Sequence, residues 1–239
     1  MIEIINVTKK FNQFAALQNI SLICEDGHSI AFIGPNACGK TTLIKCILGL
    51  NVLQEGNILV DGNSVKDNYE YRKNIGYMPQ IGRYPENMTI GETIRMLQDT
   101  RNFQDEKLDT ELLDAFELQK IYHKKMRTLS GGTTQKVSAV LAFMFNPKII
   151  ILDEPTAGLD PLASEILKNK IIKEKNNGKL IIITSHLLSE LDDIVSEIVF
   201  MNDGQVLVHQ SVSELLAQTK QNKISEAITT ILKKMKNND

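Results

Sequence analysis

The stretch Gly34 to Thr42, GPNACGKTT, constrains this chain more than any other, because it sets a glycine-bounded loop between an apolar run and a helix. Gly34, Gly39, Lys40 and Thr41 fall on the fixed positions of the phosphate-loop pattern G-x-x-x-x-G-K-[ST]. Small residues there let successive backbone N–H groups point at one anion. The following helix adds its positive N-terminal end to the same spot. In such a loop Lys40 reaches the β- and γ-phosphates and the Thr41 hydroxyl ligates Mg²⁺. A plain glycine-rich turn is the weaker reading. The His28 to Ile33 run reads as a buried strand, and Leu43 to Leu50 continues apolar at helical spacing.

A chain of 239 residues with 42% apolar content can bury a real core as one large domain or two small units. Its 27 basic and 29 acidic side chains leave a net charge of -2, so a nucleic-acid partner has no electrostatic support and none is expected. The opening MIEIINVTKKF alternates like a strand rather than like a secretion leader. No apolar run approaches the ~20 residues that span a bilayer, and Val140 to Phe145 is far shorter. The expectation is a cytoplasmic chain that does not itself cross a membrane. Cys24, Cys38 and Cys46 lack paired metal-ligand spacing and read as reduced thiols.

Taken in order, Ile2, Ile4 and Val7 mark a first strand, Leu17 to Glu25 a second and Ser29 to Ile33 a third that enters the loop. Phe11, between the first two, either packs the core or stacks on a base. Glu55 to Asp61 gives a short strand closed by Asp61-Gly62. Tyr71 to Gln80 supplies another strand, with Pro79 putting Gln80 on a loop at its carboxyl end, where open α/β sheets bind ligands. From Thr89 to Phe145 the pattern turns helical, over Thr89 to Leu97, Glu106 to Leu118 and Gly131 to Phe145. The segment LSGGTTQK at 129 to 136 places two glycines before a helix, a second place that can present free N–H groups to an anion.

The run KIIILDE at 148 to 154 reads as a central parallel strand with two carboxylates at its end. Asp153 is placed to hold Mg²⁺ through water, and Glu154 to orient or deprotonate an attacking water. A helix from Leu162 to Asn176 and a strand from Leu180 to Thr184 follow, ending at Ser185-His186. Asn202-Asp203-Gly204 joins two further strands. The tail carries an apolar stripe, Ile224, Ile228, Ile231, Leu232 and Met235, that suits packing back on its own domain ahead of dimer or membrane-surface contact.

In combination the phosphate loop, LSGG, ILDEP and the strand-terminal His186 resemble the ATP-binding subunits of ABC transporters over about residues 2 to 215. The resemblance implies a P-loop NTPase fold of the α/β class. Its mixed sheet would combine a parallel core with antiparallel N-terminal strands and carry an inserted helical subdomain. It divides the chain into 1–88 (first part of the ATP-binding core), 89–146 (helical subdomain with LSGG), 147–211 (second part of the core) and 212–239 (helical tail). Its implied ligands are ATP and Mg²⁺. By the same match, Gly34, Pro35, Asn36, Ala37, Cys38, Gly39, Lys40, Thr41 and Thr42 of one chain face Ser130, Gly131 and Gly132 of a second copy across ATP, with two ATP molecules in a self-complementary homodimer. Phe11 becomes the adenine-stacking aromatic, and Gln80 the residue near Mg²⁺ and the membrane partner. Glu154 becomes the general base, Asp160 the cross-interface residue, and His186 the γ-phosphate contact. The implied partner is a separate integral-membrane permease, which would hold the chain on the cytoplasmic face of the inner membrane.

Two positions depart from the pattern. Thr133 replaces the usual Gln, and Ala37 replaces a usual Gly, where a left-handed backbone would add ~1 to 2 kcal/mol, although its small neighbours are expected to let the loop close unstrained. Leu187-Leu188-Ser189-Glu190 after His186, without an Asp, implies export. A soluble ATPase of this type acting on ribosomes or DNA is the alternative, and a phosphate-loop kinase a third reading that LSGG opposes.

Overall fold

A long strand comes first, and half of its ten residues, Ile2, Ile4, Ile5, Val7 and Thr8, are β-branched, a composition that favours strands. In the computed structural model, which describes residues 1–66, 68–103, 107–185 and 188–236, β1 (Ile2–Phe11), β2 (Phe14–Cys24) and β3 (Ser29–Ile33) precede α1 (Lys40–Ile47). Next come β4 (Glu55–Val60), β5 (Asn63–Ser64), β6 (Ile75–Met78), α2 (Ile90–Arg101), α3 (Glu111–Ala115) and α4 (Gly131–Phe143). The chain continues through β7 (Ile149–Asp153), α5 (Pro161–Asn176), β8 (Leu180–Thr184), β9 (Glu197–Asn202), β10 (Gln205–Ser211), α6 (Val212–Thr219) and α7 (Ile224–Lys236). These elements form two compact units, residues 1–69 with 182–239, and residues 70–181.

In the first unit an antiparallel sheet runs β2-β1-β4-β5, while β3 pairs in parallel with β9, and β9 antiparallel with β10. Asp61 (φ 48) and Gly62 (φ 76) turn β4 into β5, and Asp203 (φ 46) and Gly204 (φ 75) turn β9 into β10. Both are Asp-Gly pairs with left-handed backbone at each central position, the geometry that matches strand twist. The second strand begins at Phe14, not Leu17, because Asn12 (φ 53) closes a tight turn and pairs Phe11 with Phe14. Phe11 therefore ends β1 rather than lying between strands. The tail buries Ile224, Ala227 and Ile228, and the Ile224 N–H donates to Asp192 Oδ1 at 3.0 Å.

In the second unit β6 and β7 are parallel, and β7 is buried throughout. α4 lies directly on β6: a Cβ on Gly76 would stand 1.9 Å from the Ala142 carbonyl oxygen, so no side chain fits between helix and strand. Thr89 and Glu92 form a reciprocal cap that starts α2, which continues past Leu97 to Arg101. α3 stops at Ala115 because Glu117 takes a left-handed φ of 53, so the helix expected up to Leu118 is far shorter; its expected start at Glu106 lies outside the described residues. Lys170 of α5, almost fully buried, holds this region to its helix through Asp109 and Glu111 and pairs along the helix with Glu174. Three carboxylates around one ammonium raise the Lys170 pKa above the usual lysine range despite burial. Among the described residues no helix is long and apolar enough to cross a membrane.

Candidate phosphate-binding loop and acidic strand end

β3 delivers the chain to Gly34, whose φ of 146 no L side chain tolerates well. The loop tip, Pro35 to Ala37, is exposed, whereas Cys38, Gly39 and Lys40 are buried and Thr41 and Thr42 half-buried. Gly39 (φ 109) starts α1 without a capping side chain, which leaves the helix N-terminus to be satisfied by another group. Packing closes around the loop from elsewhere in the same unit. A Cβ on Gly39 would meet Ala16 O at 2.6 Å, and the Gly204 N–H donates to Cys38 O at 3.1 Å. Lys40 Nζ donates to the loop's own carbonyls, Gly34 O at 2.8 Å and Pro35 O at 3.0 Å. An ammonium held there is pre-positioned over the loop. Cys38 is only 3% exposed, so its thiol packs inward rather than lining the loop's open side.

Ala37 has φ 64, a left-handed conformation, so the loop does not close unstrained as its small neighbours suggested. Ala37→Gly removes ~1 to 2 kcal/mol of local strain but adds back ~0.5 to 1 kcal/mol of unfolded-chain entropy. The expected result is a net stabilisation of about 0 to 1.5 kcal/mol in urea unfolding, with ATP affinity changed less than about threefold. A tenfold or larger gain in affinity would mean that the strain opposes nucleotide binding.

Phe11 is 47% exposed at the hairpin tip, with Lys9 Nζ 4.8 Å from its ring centroid. Phe14, which the sequence pattern did not single out, is 61% exposed beside it. The register of the hairpin sets these two residues opposite each other.

In the other unit, β7 ends in Asp153, 3% exposed, followed by Glu154 in a left-handed conformation at φ 52. Gln80, leaving β6, donates Nε2–H to Glu154 Oε2 at 2.9 Å. That bond joins two residues that the sequence places on separate loops. Burial, then the Asp153 charge, pushes the Tyr77 hydroxyl up to about 12.

Ser130 caps α4: its Oγ accepts the Thr133 N–H at 3.3 Å and lies 2.9 Å from Thr133 Oγ1. The departure at Thr133 thus places a second hydroxyl on Ser130. Gly131 has open space where a Cβ would stand, and Gly132 packs on the Gly158 carbonyl. Asp160 caps α5 through the Ala163 N–H and pairs with Lys136. Lys136, then Ala163, holds its carboxyl below the usual carboxylate range. His186 lies outside the described residues. Of the remaining histidines, His28 and His209 share the carboxylate of Glu197, a pairing that their separation in sequence hid.

The family model described as ABC transporter matches residues 17–157. An uncharacterized ABC transporter ATP-binding protein, YhaQ of Bacillus subtilis, is 32% identical over 218 residues, covering 90% of this chain and 72% of that protein. The sulfate/thiosulfate import ATP-binding protein CysA of Mesostigma viride is 33% identical over 205 residues, which is 84% of this chain and 59% of the relative. Among solved structures, an ATP-binding subunit of an ABC transporter superposes with a TM-score of 0.89 at 26% identity, covering 96% of this chain and 98% of its own. A dimeric post-hydrolysis state of the ATP-binding cassette MJ0796, bound to ADP and Pi, gives 0.80 at 26% identity, covering 89% and 99%.

Proposed function

This chain belongs to the ABC transporter family, and from that premise we propose that it binds MgATP in a head-to-tail homodimer and uses hydrolysis to drive a separate membrane permease. As an ABC-type ATPase it needs a phosphate grip, a base and a partner surface, and the chain supplies a candidate for each. The observation that carries the reading is the phosphate loop with Lys40 bonded above it. Gly34 to Thr42 would wrap the phosphates, Lys40 would exchange its two loop carbonyls for phosphate oxygens, and Phe11 would stack on adenine. Glu154, oriented by Gln80, would take the proton of the attacking water. Ser130, Gly131 and Gly132 of the second copy would complete the grip; the dimeric, ADP- and Pi-bound state of MJ0796 supports a two-copy arrangement. Thr41, Gln80 and Asp153 offer hard oxygen donors of the kind Mg²⁺ takes. When bound, the ion supplies positive charge against the phosphates. Asp160 and His186 keep the roles that family resemblance gives them, and the division at 88, 146 and 211 is the functional division of this reading.

The export expected from the residues after His186 is not supported, since the CysA relative is an import protein. The permease contact we place at a cavity of about 350 Å³ lined by Gly82, Arg83, Tyr84, Glu86, Met126 and Arg127, among others. It begins just after Gln80, so a segment seated there would sense the residue that touches Glu154. Tyr84 donates its hydroxyl to Ser138 Oγ at 2.9 Å and supports the wall; the exposed arginines are the better probes. Arg83→Glu with Arg127→Glu is expected to lower permease-dependent transport at least about tenfold, while basal hydrolysis stays within about twofold. Co-purification of the wild-type chain with an integral-membrane protein, lost in the double variant, checks the surface. Loss of ATP binding in that variant would make the segment structural instead.

A further inference from the structure

We infer that Lys136 is a positioning residue for hydrolysis, fastening the Ser130–Gly132 turn to the loop that follows Glu154; the inference rests on the functional reading above. Lys136 Nζ donates to Asp160 Oδ2 at 2.7 Å, and the other oxygen of that carboxylate accepts the Ala163 N–H at 2.9 Å. One carboxylate is thereby divided between two helices, α4 and α5. A second tie lies one turn away, where a Cβ on Gly132 would stand 2.9 Å from Gly158 O, so backbone meets backbone. The chain between Glu154 and Asp160 has little slack: the Ala157 N–H donates to Glu154 O at 3.2 Å and the Leu159 N–H to Thr156 O at 3.1 Å. Lys136 Nζ also lies 5.8 Å from the Phe116 ring, which keeps its stem against the helical segment.

The strain at Glu154 gives this fastening its consequence. A non-glycine residue at φ 52 holds that conformation only while its surroundings enforce it. The two ties and the two tight turns are such surroundings. A displacement of the Ser130–Gly132 turn therefore reaches the backbone of Glu154. In a head-to-tail dimer these two ends of one chain serve different ATP molecules, so Lys136 links phosphate contact at one site to base placement at the other. The pair itself is partly exposed, at 25% for Lys136 and 52% for Asp160, and exposed ion pairs contribute little to folding. Its effect belongs to catalysis.

The test is a double-mutant cycle on the full chain, with hydrolysis, MgATP affinity and urea unfolding measured for Lys136→Met, Asp160→Asn, their combination and Lys136→Arg. Asn at an N-cap still accepts the Ala163 N–H, so Asp160→Asn removes charge and spares the cap. Lys136→Met is expected to lower kcat about tenfold with MgATP affinity and urea midpoint unchanged, Asp160→Asn at least as far because that residue also faces the second copy, and the combination to fall no further than Asp160→Asn alone. Lys136→Arg, which keeps the charge, should restore most of the rate. Singles within about twofold of wild type, losses that multiply in the combination, or a rate loss that tracks a lowered urea midpoint would each overturn the inference. A wild-type chain that does not hydrolyse MgATP would overturn the functional reading itself.

Discussion

Glu154→Gln is expected to bind MgATP as wild type does and to hydrolyse it at least about a hundredfold more slowly, the lower end of what loss of a general base removes. The amide keeps the shape of the carboxylate and still offers a carbonyl oxygen to Gln80 Nε2, now 2.9 Å from Glu154 Oε2, so positioning survives. It cannot take up the proton of the attacking water. Lys40 and the loop N–H groups are unchanged, so binding is spared. With ATP retained, the variant should elute as a dimer in MgATP and as a monomer without it, by mass action on the interface. Gel filtration with a bound-nucleotide assay reads both effects. A monomer with confirmed bound ATP would rule out the sandwich for the isolated chain, and persistent hydrolysis would remove Glu154 as the base and leave His186 as the next candidate.

Gly34→Ala should abolish ATP binding in practice, with an affinity loss above about a hundredfold, and lower stability by about 2 to 5 kcal/mol. Two independent effects add. The φ of 146 is a glycine conformation, and a Cβ would stand 2.1 Å from Met201 O and 2.9 Å from Cys38 Sγ. Met201 O belongs to the backbone of β9 and cannot swing aside, so the loop must move and its N–H groups lose their common target. Gly62→Ala separates the two effects, because Gly62 has φ 76 but nothing within 4 Å of a Cβ. That variant should lose only about 1 to 2 kcal/mol and bind ATP normally. Urea unfolding and nucleotide titration of both variants make the comparison, and normal binding by Gly34→Ala would show that this loop is not the phosphate grip.

Fold class and the local chemistry were legible because they are written in short-range patterns. Four-residue apolar runs, each with one flanking polar residue, became the buried strands β3, β7 and β8. Asp-Gly pairs at 61–62 and 203–204 became hairpin turns, since Gly and Asp admit a left-handed backbone. The phosphate loop was readable from its glycines and lysine alone. Less was legible where conformation depends on neighbours. α3 ends early at a left-handed Glu117 that no glycine announces, and Cys38 is buried in a loop whose carbonyl there is tied to Gly204 of the distant β9–β10 turn.

The sequence by itself determined the residue types for gripping phosphate, for placing acids at a strand end and for capping helices, because each operates within a few residues of its own backbone. Tertiary structure alone decided the pairings across distance. Gln80 meets Glu154, Lys136 meets Asp160, and Met201 and Gly204 close on the phosphate loop only because the folded chain sets separate strands and turns side by side. Hydrogen bonds and close packing require contact within a few ångströms. No local pattern encodes which distant residue will supply it.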